Sequence, residues 1–517
     1  MPFLAETELT GPIVIVVYLT CLVAYGAWHS RRIKTQEDFA LAGRSLTVPV
    51  LVGTMVATWI GTGSLVGNAE KTYQIGLAML IVPFGGAIGL YILSLVAKRV
   101  RRFGQFTVQD ILEARFGIAA RILATAAIIT AYLTIVSYQY RAGGAVIHTI
   151  FPELAAWCNA NFSGLNDYLR QHTEWTDSSW GSVLAAMFII GYTVLGGLVS
   201  VAYTDVINGL VMTAGILIGL PILLSKAGGI SGIQATFAAT PEKLQIFGPI
   251  GWLAGINLIL PAMLLVMGEA NLYQRFFAAK DSRTAGKAAI LVVFGVFFVE
   301  ILIILLAFVS SAVETGLPKE RFGHVILLAA QHHLPTLLGA LVLAAAVAII
   351  VSTADSFLLV SSNSVVRDIY QRFMVPGASP RSLVTVSRIV VVVLGLVAFY
   401  ASVFSSAFLD IALWAYTVYG ASITPALLAT FFWKRATATG AALGIAGGTI
   451  TTIVWKAGLH DWIVKASEAS ANPDGFLSIV AQLDAVLPAM AVSILLLVGG
   501  SLLTPPPPRE KWEPFAA

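Results

Sequence analysis

Apolar runs recur along the whole chain, separated by short polar stretches. Thirteen such segments cover about 11–29, 46–69, 77–97, 119–151, 181–197, 203–224, 249–272, 288–310, 336–362, 387–405, 409–432, 438–456 and 484–504. A helix rises about 1.5 Å per residue, so roughly 20 apolar residues cross the hydrocarbon core of a bilayer. The pattern predicts an all-α, polytopic membrane protein with about thirteen transmembrane helices. Segment 119–151 is long enough to tilt or to project beyond the bilayer. Two connecting stretches, about 152–180 and 309–335, mix apolar and polar residues and are expected to hold short interfacial helices.

Composition narrows the class. The chain has 517 residues, 57% apolar and 11% charged, against roughly 25% charged in a soluble domain. Its mean hydropathy is +0.84. A soluble globular protein and a disordered one are both excluded. Cys21 and Cys158 are too few for a disulfide framework or a cysteine-rich zinc site. The start carries Glu6 and Glu8 and no Lys or Arg, so no cleaved signal peptide is expected. No attached soluble domain, and so no fused enzyme or sensor kinase, is expected, and no nucleic-acid partner is expected.

The net charge of +4 matters less than where the basic residues lie. With the N-terminus outside, 22 of the 31 Lys and Arg fall in inside loops and 8 in outside loops, leaving Arg141 within a span. That asymmetry predicts N-terminus out and C-terminus in, in a plasma (inner) membrane protein. The stretch PPPPREKW, 505–512, reads as an extended polar terminus within a cytoplasmic tail, 505–517.

Two spans read as discontinuous. The second contains ATWIGTGSLVG, 57–67, with Gly61, Gly63 and Gly67 at mid-membrane depth. The seventh contains GINLILPAML, 255–264, with Gly255 and Pro261. Unwound backbone at that depth is tolerated only where it is buried in protein or lines a cavity. Paired interruptions point to an inverted-repeat transporter with its site at the repeat interface. The competing reading is that the glycines serve close helix packing.

Span 9 carries a polar stripe. Ser352, Thr353, Asp355 and Ser356 lie within five residues, and 349, 352, 353 and 356 share one helix face. A lone hydroxyl can bond back to its own helix. Three hydroxyls with a carboxylate at membrane depth point instead to a cavity or a partner. Hard cations take such oxygen ligands, so sodium fits and a transition metal does not. Asp205, Glu269, Glu300 and Arg141 are the other charges placed in or near spans 4 to 8. Each has a structural alternative as a member of an internal ion pair. Glu269, near the inner loop, reads mainly as structural or solvated.

These residues resemble the sodium:solute symporter family, which includes sodium–sugar, proline, pantothenate, iodide and sialic acid carriers. EDFALAGRSL (37–46) with the ATWIG break, GGLVSVAYTDVINGLVM (196–212), YQRFFAAKD (273–281), STADSFLL (352–359) and TPALLATFFWKRATATGA (424–441) carry the likeness in order along nearly the whole chain. Asn208 stands where Gln is common, and Glu269–Ala270 replaces the frequent Asp-Gln. The resemblance implies a leucine-transporter-type core of 5+5 helices in a single transport domain, 1–517. The first repeat would be 46–224 and the second 249–432, with an extra span 11–29 before them and two, 438–504, after. It implies a sodium site of the carbonyls of Ala57, Ile60 and Ile349 with the hydroxyls of Ser352 and Thr353. In some members a second site uses the span 6 aspartate, here Asp205, with positions falling on Ser352, Asp355 and Ser356. That set holds a sodium or shares a proton.

The expected substrate site lies beside the span 2 break. Its polar candidates are Thr62, Ser64, Gln139, Arg141 and Glu300, with Trp414, Tyr416 and Tyr419 for packing. Arg141 resembles in position the carboxylate-binding arginine of the sialic acid carriers, and a guanidinium binds a carboxylate through two parallel bonds. Leu265 stands where sugar carriers have an aromatic gate. The expectation is sodium-coupled import, by alternating access, of a small carboxylate-bearing solute, a zwitterion having Glu300 at its cationic end. Alternatives are a proton-coupled or uncoupled carrier or channel on the same scaffold, a sodium–sugar or other neutral-solute symporter, and a non-transporting sensor. A membrane redox enzyme is disfavoured, because most of the seven histidines fall at span ends or in loops. Sodium is the ion, the bilayer and a small solute are the other partners, no covalent chemistry is required, and no oligomer is required.

Overall fold

The computed structural model describes residues 2–31, 33–247, 250–404, 408–469 and 475–516. Among them regular structure is helical, apart from one isolated bridge between Leu46 and Ala279. The principal helices are α1 (Pro2–Ser30), α2 (Val48–Trp59), α3 (Val82–Phe103), α4 (Ile118–Ile150), α5 (Ser179–Lys226), α6 (Trp252–Gly268) and α7 (Ala270–Ala278). They continue with α8 (Ser282–Val313), α9 (Thr336–Asn363), α10 (Pro380–Ser402), α11 (Phe408–Phe432), α12 (Ala438–Val454), α13 (Val486–Leu502) and α14 (Arg509–Ala516).

Among the described residues, ten helical stretches are long and apolar enough to cross a membrane. One of them, α5, has 48 residues, about 72 Å of helix, and holds expected spans 5 and 6. Gly197 divides it, with φ 51° and ψ −169°; side chains rarely adopt that conformation, and glycine does so without strain. Two shorter apolar helices, α2 and α13, supply the remaining spans of the expected thirteen.

Helix ends follow from local chemistry. Thr35 and Thr107 form capping boxes with Asp38 and Asp110, and Asp281 caps α8 by accepting from the Thr284 amide at 2.7 Å. Each cap satisfies amides that a helix start leaves open. The two long connections do fold into short helices, Pro152–Asn161, Ser163–His172 and Val325–His333. His332 and His333 both pair with Glu314, at 2.8 and 3.1 Å.

The central helix is α9, whose apolar window is 83% buried, against 17% for α1. α9 packs on α5, α4 and α1, while α3 packs on α6 and α8. At the end bearing the basic loops, Arg121 of α4 pairs with Asp110 at 2.7 Å, and also with Glu113 and Asp368. This knot ties the helix Val108–Phe116 and the stretch after α9 to α4. Burial pushes Glu113 up, but Arg121 and Arg372 outweigh that and hold it below its usual range.

The terminus departs from expectation. Pro505–Pro508 are followed by a helix, α14, rather than by further extended chain. Phe515 is 2% exposed. Its ring packs against Phe103 and Phe431, and its carbonyl accepts from Arg99 at 3.2 Å. The proline run ends where a buried aromatic anchor makes helix formation favourable.

Candidate functional site

The break in span 2 starts at Ile60, which leaves the helical region at φ −76° and ψ 84°. The Gly61 amide donates to Trp59 O at 2.9 Å, and the Ser64 amide donates to Gly61 O at 3.1 Å. The carbonyls of Ala57 and Ile60 thereby lose the i+4 donors that a continuous helix would supply. Both residues are fully buried. A side chain at Gly61 would come within 2.9 Å of Thr353 Cγ2 and 3.0 Å of its Oγ1, so only glycine lets the break lie against α9.

The α9 stripe meets that break. Ile349, Ser352 and Thr353 are 0, 2 and 2% exposed. Ser352 Oγ donates back to Ile349 O at 3.2 Å. Thr353 Oγ1 has no hydrogen-bond partner among the described residues. Carbonyls without their i+4 donors beside an unsatisfied hydroxyl make a donor set suited to a hard monovalent cation. Of the residues expected to hold sodium, Thr353 lies against Gly61, next to Ile60 at the break.

The second expected set is divided. Asp205 Oδ2 accepts from Thr54 Oγ1 at 2.6 Å and pairs with Arg275 Nη2 at 3.4 Å. Arg275 also donates to Ser356 Oγ at 2.8 Å and to Thr54 Oγ1 at 3.1 Å. Asp355 turns the other way, and its Oδ1 accepts from Thr193 at 2.6 Å. Asp205 Oδ1 and Asp355 Oδ2 have no partner among the described residues. Arg275, counted from sequence as a basic residue of an inside loop, is fully buried. The signal for it is its setting within LYQRFFA, an aromatic and apolar run.

Span 7 breaks elsewhere than expected. α6 runs through Pro261 without a break, and the chain leaves the helix at Glu269, φ −67° and ψ 102°. A membrane helix tolerates an internal proline when neighbours satisfy the freed group. Glu269 caps α7 by accepting from the Asn271 amide at 3.2 Å. It also accepts from Asn271 Nδ2 at 2.8 Å, from Tyr419 OH at 2.5 Å and from Tyr132 OH.

Between the two breaks lies a cavity of about 340 Å³. Gly61, Ser64, Thr353, Glu269, Glu300 and Tyr416 are on its walls. Glu300 accepts from Trp59 Nε1 at 2.8 Å and Ser64 Oγ at 3.1 Å. Of the expected substrate residues, Ser64 and Glu300 line the cavity. Thr62 and Gln139 bond to each other instead. Arg141 donates to the Ser402 carbonyl on α10 at 2.8 Å and is not among the lining residues. Tyr416 lines the wall and bonds Tyr138 OH at 2.5 Å, while Tyr419 is taken up by Glu269. The side chain of Trp414 lies outside the described residues.

Comparison with known proteins agrees with this architecture. The chain is 26% identical over 412 residues to the high-affinity choline transporter 1 of Drosophila melanogaster, across 76% of this chain and 62% of that protein. It is 28% identical over 469 residues to the sodium/proline symporter of Haemophilus influenzae, covering 86% of this chain and 88% of the other. Its fold matches that of a Na+-coupled sialic acid symporter in a substrate-bound outward-open state, with a TM-score of 0.72 at 20% identity, over 96% of this chain and 98% of that one. The fold is therefore of the leucine-transporter type, in a multi-pass membrane protein. The model of the sodium:solute symporter family matches residues 39–154 and 175–448, and the chain belongs to that family.

Proposed function

We propose that the protein imports a small organic solute by coupling it to sodium, with alternating access to the central cavity. The observation that carries this is the open break of span 2 beside Thr353. Sodium would bind the carbonyls of Ala57, Ile60 and Ile349 and the hydroxyls of Ser352 and Thr353. It would thereby join α2 to α9 and stabilise the state open to the outside. The solute then binds at the break, the outer side closes, and the basic end opens to the cytoplasm, with the N-terminus outside. One charge crossing 100 mV contributes about 2.3 kcal/mol, and a tenfold sodium gradient about 1.4 kcal/mol. Together they support roughly a 500-fold accumulation of a neutral solute.

The second set supplies one further titratable position. Arg275 already balances the charge of Asp205, so of the two partnerless oxygens, Asp205 Oδ1 and Asp355 Oδ2, the second would take a proton or a second sodium. A carboxylate on the solute, expected from sequence to meet Arg141, would here meet the amides that open the helical stretch at Gly63. Relatives named for proline and choline make these the first probes. In proteoliposomes, an inward sodium gradient should drive uptake of a bound probe above its outside concentration. Uptake that is the same without the gradient would refute sodium coupling.

A further inference from the structure

The cavity is lined by three carboxylates, Glu269, Glu300 and Asp484, and by Lys71, and it treats the two buried carboxylates differently. Glu269 and Glu300 are 6% and 3% exposed. Glu269 is held by four donors from three residues, Tyr132, Tyr419 and Asn271. Glu300 receives Trp59 Nε1 and Ser64 Oγ, both on Oε1, and Asn68 lies beside it. All of these are neutral groups. Of the buried guanidinium groups, Arg275 pairs with Asp205, Arg121 pairs with Asp110, Glu113 and Asp368, and Arg115 donates to the carbonyls of Trp433 and Lys434. Lys71 lines the same cavity, but among the described residues neither it nor any other cationic side chain forms an ion pair with Glu300.

A carboxylate taken out of water without a counter-charge costs several kcal/mol, and neutral donors offset part of that. A ligand that brings its own positive charge offsets the rest. Trp59 and Tyr416 line the same cavity, and aromatic rings attract an ammonium group further. Thr353 and Gly61 also border the cavity, so the expected sodium and the solute share a wall. Glu300, on α8, stands on another helix from the sodium ligands of α2 and α9.

We infer that the cavity selects solutes carrying a cationic nitrogen, and that Glu300 is the specificity-determining residue that receives it. This rests on the symport reading and sharpens it: the ammonium or amine is required, and a carboxylate on the same solute is not. Size agrees, since a cavity of about 340 Å³ lies at the small end of the usual range for ligand sites, roughly 300–1,000 Å³.

Matched pairs test the inference. Glycine betaine is compared with 3,3-dimethylbutanoate, which keeps the carboxylate and replaces the ammonium by a neutral carbon. L-Pipecolate is compared with cyclohexanecarboxylate, and the diamine putrescine with butane-1,4-diol. Binding to the full-length protein is read by thermal shift in saturating sodium. At least one charged member should bind, each at least tenfold more tightly than its neutral partner. Glu300→Gln should abolish that tenfold preference, and Glu300→Asp should restore part of it. The response to sodium alone should stay unchanged in both. Neutral members binding as well as charged ones, silence from every charged member, or a preference that survives Glu300→Gln each overturns the inference. If wild-type protein fails to respond to sodium at all, it is the symport reading that fails.

Discussion

In span 2 the chain leaves its helix at Ile60, and the carbonyls of Ala57 and Ile60 lose their i+4 donors beside a Thr353 hydroxyl that has no partner among the described residues. In span 7 the chain leaves its helix at Glu269, and that residue's own carboxylate closes the gap by capping α7 and accepting from Tyr132 and Tyr419. Both breaks line one cavity. One is left chemically open and the other is filled from within. An open break at membrane depth is stable only if something else completes it, so the first reads as the place for an ion and the second as a fixed pivot.

Substitutions at the two breaks should therefore give different phenotypes. The largest effect is expected from Gly61→Val, because its side chain would meet Thr353 within 3 Å. The response to sodium should weaken by more than about a hundredfold, ~2.7 kcal/mol, in a titration of thermal stability. Glu269→Ala should act on stability instead. It strips the acceptor from two tyrosine hydroxyls and a buried amide, which costs roughly 3 kcal/mol and lowers the unfolding temperature. The half-saturating sodium concentration should move by less than about threefold. If Glu269→Ala shifts sodium affinity as far as Gly61→Val does, the contrast between the breaks is wrong.

Smaller effects sharpen the same contrast away from the cavity. Arg141→Met should change solute affinity by less than about threefold, under ~0.7 kcal/mol, because Arg141 serves the Ser402 carbonyl. A loss of a hundredfold in uptake assays would restore it as a carboxylate anchor. The smallest effect concerns His324, in the connection before α9. Burial, with Arg321 nearby, lowers its pKa. A lowered histidine means the unfolded chain binds more protons, so stability is present above the ordinary histidine range and declines as pH falls through it. His324→Gln should flatten that decline in melting curves between about pH 7 and 5.

Much of this was legible in the sequence. Long apolar runs fix helices, and the thirteen segments reappear as helical passes because a bilayer leaves few alternatives. The stripe from Ser352 to Ser356 was visible because polar residues are costly at membrane depth. Arg275 was misjudged for the opposite reason, and Glu269, read as structural or solvated, is structural and buried. Both lie close to a loop in sequence, where charge is cheap, and their burial comes from helices far away in the chain, α4, α5 and α11. Arg141, expected from sequence to meet the solute, donates to the Ser402 carbonyl, and a position on a span says nothing about which neighbour a side chain finds. The α14 helix escaped notice because its one anchor, Phe515, is a tertiary contact.

The central claim is that a cation completes the break beside Thr353, and sodium alone tests it most directly. Purified wild-type protein and Thr353→Ala are titrated with sodium chloride against potassium chloride at constant ionic strength, with unfolding temperature as the readout. Sodium should stabilise the wild type saturably where potassium does not, and Thr353→Ala should need at least about tenfold more sodium, ~1.4 kcal/mol. Superimposable curves for the two proteins, or equal responses to the two salts, would contradict the account.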